Sequence, residues 1–132
     1  GTNRILTAGT YSNVYRGNLT INAASEYSST VGITVAENLT NNGTLTQTGT
    51  LSMQNYSGTT ASVNTNAQTV SGSGVFRNLV VAPTANISSL TVNNSNASGV
   101  TLNVPLSVSG TLTLTSGKIN TTTVNSTIML QL

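Results

Sequence analysis

Between Val100 and Leu114 the apolar residues fall at Val100, Leu102, Val104, Leu106, Val108, Leu112 and Leu114, with Thr, Asn, Ser or Pro at most positions between them. A spacing of two is the period of a β-strand, whose side chains alternate between its two faces. Yet the run is far longer than the usual five or six residues of a strand, so it must turn corners while keeping one side inward. Gly99, Pro105, Gly110 and Gly117 are the natural corners. The first half repeats the pattern at Val31, Ile33, Val35, Leu39, Leu45, Leu51 and Met53. β-Branched residues make up about a third of the chain, which suits a pleated surface and penalises helix.

The sequence also repeats itself. Val14-Tyr15-Arg16-Gly17-Asn18-Leu19-Thr20-Ile21 matches Val75-Phe76-Arg77-Asn78-Leu79-Val80-Val81 with one Gly between. Gly49-Thr50-Leu51-Ser52-Met53 matches Gly110-Thr111-Leu112-Thr113-Leu114, and Val63-Asn64-Thr65 matches Val124-Asn125-Ser126, in the same order. Self-similarity at a fixed period is the mark of a repeat architecture. The expected organisation is the tail of a preceding unit over 1–8, one repeat unit over 9–71 and a second over 72–132, each of about sixty residues. Gly1–Thr10 lacks the basic start and apolar stretch of a signal peptide, so the chain reads as mature, or as cut from something longer.

Corner-turning strands in tandem units predict an all-β chain folded as a parallel β-solenoid, three coils of about twenty residues to each unit and roughly six in all. Its hand is left open. The runner-up is an antiparallel β-sandwich, which also shows short alternating strands but gives no reason for two copies in register. Gln47, where the second copy has Val108, is the one inward polar departure, expected at a corner and satisfied there.

Composition removes most chemistry. The 132 residues hold four Lys and Arg, two carboxylates, Glu26 and Glu37, and no Asp, His, Cys or Trp. Imidazole and thiolate sites are excluded, as is an aspartate-rich calcium repeat, so no metal or other cofactor is expected. A Ser or Thr nucleophile has no base in a recognisable pattern beside it, so the chain is expected not to be an enzyme. The net charge of +2 comes from scattered residues, Arg4, Arg16, Arg77 and Lys118, with no basic patch or aromatic platform for nucleic acid. No apolar run is long enough for a membrane-spanning helix, so no membrane insertion is expected. Low charge itself suits a stack, because rows of like charge would repel whereas Asn and Thr can hydrogen-bond from coil to coil.

The stretch Gly110–Thr121, preceded by Gly99–Ser109, looks like the repeats of very large secreted, adhesin-type surface proteins of Bacteroidetes. Gln68–Gly74, followed by Asn78–Val81, is similar to the linker and strand that introduce each such repeat. The likeness spans most of the chain and is strongest from Gln68 to Thr123. It implies export to the bacterial cell surface and a role as adhesin shaft or filament component, and it offers no catalytic residues to carry over.

The leading expectation is therefore a non-enzymatic segment of an extracellular shaft or surface filament, extending by end-to-end coil stacking. Its partners would be further copies of the repeat, neighbouring domains of a longer chain, or a homo-polymer. The candidate stacking strand is Ile128, Met129, Leu130 and Leu132, with no charge, Pro or Gly to block pairing. A second reading is ice binding through outward Thr rows at Thr44, Thr46, Thr48 and Thr50 and at Thr111, Thr113 and Thr115. A third is a carbohydrate-binding or carbohydrate-active β-helix, with Glu26, Tyr27 and Glu37 as its only material. Sequons at Asn18, Asn38, Asn42, Asn55, Asn86, Asn93, Asn96, Asn120 and Asn125 mark positions for surface glycans.

Overall fold

The computed structural model describes residues 13–57, 60–78, 86–121 and 128–130. Their strands follow one another in rungs. Rung one is β1 (Asn13–Tyr15), β2 (Leu19–Ile21) and β3 (Glu26–Ser29). Rung two is β4 (Ile33–Val35), β5 (Leu39–Asn41) and β6 (Thr44–Gln47). Rung three is longer, with β7 (Thr50–Ser57), β8 (Thr60–Ser62), β9 (Gln68–Ser71), β10 (Val75–Arg77) and β11 (Asn86–Ile87). Rung four is β12 (Ser89–Asn93), β13 (Val100–Leu102) and β14 (Leu106–Val108). Rung five is β15 (Leu112–Ser116), β16 (Ile119–Thr121) and β17 (Ile128–Leu130).

Each strand pairs in parallel with the corresponding strands of the rungs beside it. The first face stacks β1-β4-β7-β12-β15, and the second stacks β2-β5-β9-β13-β16. The third face is broken into β3-β6-β10 and β11-β14-β17. The chain is a parallel β-solenoid. Among the described strands only β7 and β8 pair antiparallel, from Asn55↔Ser62 to Ser57↔Thr60; the other pairings are parallel, which rules against the antiparallel sandwich. Among the described strands the third face holds six and each of the others five along its main path, because the chain crosses it twice in rung three.

The inward alternation behaves as the sequence predicts. Ile33, Leu51 and Leu90 share one column, Val35, Met53 and Val92 the next, each at 0–1% exposure. Leu45, Phe76, Leu106 and Val108 fill the third side of the same core. Burial of such side chains stabilises by about 1.5–3 kcal/mol each, and among the described residues it is achieved without helix, in a chain with no cysteine. Gly99 and Gly117 stand at corners with φ of 59° and 83°, a left-handed backbone that a side chain resists. Pro105 and Gly110 lie between strands too, so all four expected corners are corners.

Three expectations need correction. The described residues make five rungs, and these are not coils of equal length, about twenty residues each, as expected. Val14 pairs Thr34 and Ile33 pairs Leu51, returns of 20 and 18 residues, but Leu51 pairs Leu90 after 39, because β7 runs past its sheet into the hairpin. The repeat anchors also split. Leu51 and Leu112, like Met53 and Leu114, do share columns two rungs apart. Val14, however, lies on the first face and Val75 on the third, since two rungs above Val14 is Ser52. Finally, Gln47 is inward in β6 with 0% exposure, and neither its Nε2 nor its Oε1 has a hydrogen-bond partner. It is not satisfied at a corner.

Candidate functional site

The last described rung leaves its inner side open. Leu112 and Leu114 continue the columns of Leu90 and Val92, yet Leu114 is 51% exposed and Leu112 partly so. Ile119 in β16, in register with Val100, is likewise only partly buried. Among the described residues, β15 pairs with β12 alone and β16 with β13 alone. Among the described residues one edge of each strand is thus left without a pairing strand beside apolar side chains, and such an edge is a template for another rung.

Of the candidate stacking strand, Ile128, Met129 and Leu130 form β17, which pairs with Leu106, Ser107 and Val108 and extends the third face in the same rung. Leu132 lies outside the described residues, as do the stretch 1–12 and the anchor Val124-Asn125-Ser126.

The two Thr rows take different positions. Thr111, Thr113 and Thr115 are exposed on and beside β15, and Thr113 stands in one outer column with Thr91, Ser52 and Thr34. Thr44 and Thr46 belong to β6 on the third face, whereas Thr50 opens β7 on the first, so that row turns a corner at Thr48. Thr46 is 2% exposed, and its hydroxyl donates to Glu26 Oε1 at 3.0 Å.

The first described rung differs in its inward side chains from the fifth. Tyr15 lies in the column of Val35, and Tyr27 in that of Leu45, so two rings replace aliphatic side chains. Their centroids are 6.1 Å apart at 75°, and Tyr15 Oη donates to Tyr27 Oη at 2.9 Å. Burial, with the neighbouring Tyr15 phenol as a lesser cause, pushes the Tyr27 phenol well above its ordinary range.

Sequence reasoning missed a buried amide network at the corner between the first and second faces. Gln68 Nε2 donates to the carbonyls of Val35 and Glu37, each at 3.0 Å, and its Oε1 accepts from Asn94 Nδ2 at 2.9 Å. Asn94 Nδ2 also donates to the Asn66 carbonyl, and Asn64 Nδ2 to that of Ala36. Asn64 and Asn94 form an isolated parallel bridge, so the network ties the end of the hairpin excursion to rungs two and four. Nothing in a chain this rich in Asn separates these two from exposed ones; only register does.

Outside, Asn side chains link rungs as expected of a corner ladder. Asn18 Oδ1 accepts from the Asn38 amide at 3.0 Å, and Asn38 Oδ1 from the Thr69 amide at 2.9 Å. Among the sequons, Asn86 is 1% exposed and so inaccessible to modification in the folded chain. Among the described residues no three His, Cys, Asp or Glu come together to hold a metal ion. Neither a family model, a curated protein nor a solved structure matches this chain.

Proposed function

We propose that the chain is a non-enzymatic structural segment of an adhesin shaft or filament on a bacterial cell surface, extended by stacking one rung on the next. The observation that carries this reading is Leu114. It occupies a column whose other aliphatic members are fully buried, it is itself half exposed, and the edge of its strand is open among the described residues. Covering it with a further rung would bury apolar surface and complete the parallel ladder in one step. A contact that joins one end of a solenoid to the unlike end of the next does not close on itself, so repetition gives a fibre instead of a ring.

The likeness of Gly99–Thr121 to secreted surface repeats supports the same role, and so does an exterior of amides and hydroxyls that stack without repulsion. Electron microscopy of the purified chain tests the reading. Fibres of uniform width are expected, and Leu114→Lys should shorten or abolish them. Monodisperse short rods from the unaltered chain at every concentration would overturn end-to-end extension.

A further inference from the structure

A notch opens at the corner between the second and third faces, and its cause is a difference in corner length. Rung one takes four residues to turn from β2 to β3, rung two takes only Asn42 and Gly43 from β5 to β6, and rung three takes three from β9 to β10. The short middle turn is therefore recessed between its neighbours. The space is about 360 Å³, within the range of small-ligand sites.

Its floor is fixed. The carbonyls of Ser25 and Gly43 accept from the Thr44 and Val75 amides at 2.9 and 2.8 Å. A Cβ on Gly43 would stand 2.2 Å from the Ser25 carbonyl oxygen, so only glycine allows the turn to sit so deep. On the rim, Ala24 holds φ at 60°, the sole described non-glycine residue with positive φ, a strain of the kind that gathers at functional sites.

The walls have a definite chemistry. Glu26 is the only charged residue among them, and Thr46 fixes its carboxylate by donating to Oε1. Around it stand the hydroxyls of Ser25, Thr44 and Ser73 and the Asn42 amide, with Val75 at 43% exposure. Past Ser73 and Gly74 the notch runs into a second recess of about 240 Å³ bounded by Phe76, Val104 and Pro105. Polar and apolar halves thus follow each other along the axis over four rungs, a span of about 14 Å at the usual strand spacing.

We propose that this corner groove binds a neutral glycan laid along the solenoid axis. Glu26 accepts from sugar hydroxyls, Ser25, Asn42 and Ser73 exchange hydrogen bonds with others, and Val75 and Pro105 receive the C–H faces of the rings. With a carboxylate and no cation on its walls, the groove discriminates against acidic glycans. The site is lateral, so it goes beyond the role in extension and does not depend on it.

The test is ¹H–¹⁵N NMR of the full chain titrated with cellotetraose, maltotetraose, laminaritetraose and mannotetraose, and with tetragalacturonate as the acidic probe. At least one neutral oligomer should shift the Gly43 and Gly74 amides at millimolar concentration, and the acidic one should not. Glu26→Gln should weaken that binding about tenfold, as expected for losing a charge-assisted hydrogen bond, and Ser73→Trp should block it by filling the notch. Thermal melts confirm that both variants are folded. No neutral oligomer shifting these amides, equal binding by the acidic one, or wild-type affinity in both variants would overturn the proposal.

Discussion

Leu114 stands in register with Val92, one rung further along the same inward column, yet Val92 is fully buried and Leu114 is 51% exposed. Two aliphatic side chains at equivalent positions thus carry different free energies, and the difference is a property of the stack, not of the residues. Truncating Leu90, which is 1% exposed, should destabilise by about 2–5 kcal/mol as a cavity is left. Leu114→Ala should cost about 0.5 kcal/mol or less in dilute monomer, because half of the side chain is already in water. Urea unfolding at low protein concentration measures both. A loss for Leu114→Ala as large as that for Leu90→Ala would mean the rung is covered in the isolated chain.

Gln47 gives a prediction of opposite sign. Its amide lies in the core at 0% exposure with both polar atoms unpartnered, a state that costs about 1–3 kcal/mol for a buried polar group. Methionine has nearly the same length and shape without the amide. Gln47→Met should therefore raise stability by about 1–2 kcal/mol, seen as a higher midpoint in urea with an unchanged slope. A lower midpoint would show that the amide has a partner in solution.

The fold was legible because inward Leu, Val and Ile alternate through Gly99, Pro105, Gly110 and Gly117, and only a coil with one side inward accommodates that run. What the alternation does not encode is how far each coil travels before it returns. The match of Val14 with Val75 is good as sequence, but the hairpin of β7 and β8 lengthens rung three and moves Val75 to another face. The notch was invisible for the same reason. It arises from the relative lengths of three corners that are adjacent only after stacking, and Glu26, Asn42 and Ser73 share no spacing that would join them in the chain.

Gln68 is the counterpart of Gln47, being buried to 1% with every polar atom engaged. Gln68→Leu would leave the Val35 and Glu37 carbonyls without their side-chain donor and Asn94 Nδ2 without one of its two acceptors. A loss of about 2–4 kcal/mol is expected, on the scale for breaking a buried network. The double variant with Asn94→Ala should lose less than the sum of the single changes, since the two side chains share a bond. Strict additivity in urea unfolding would deny the network. The pair of glutamines thus separates hydrogen bonding from burial: same residue type, same depth, opposite effect.

Tyr27 makes stability depend on pH on the alkaline side. Its phenol is held in the neutral form chiefly by burial, so its folded pKa lies above the unfolded value near 10. A raised pKa means that the stabilisation is complete below about pH 10 and is lost above it, as the unfolded chain ionises while the folded chain still holds its proton. The contribution of this one group has a limiting slope of about 1.4 kcal/mol per pH unit. Tyr27→Phe removes the titrating group while keeping the ring in its column beside Leu45. The variant should therefore unfold less steeply with pH above 10 than the unaltered chain, and show the same pH dependence below 9. Identical alkaline profiles would mean that the Tyr27 phenol ionises as readily in the folded chain as in the unfolded one.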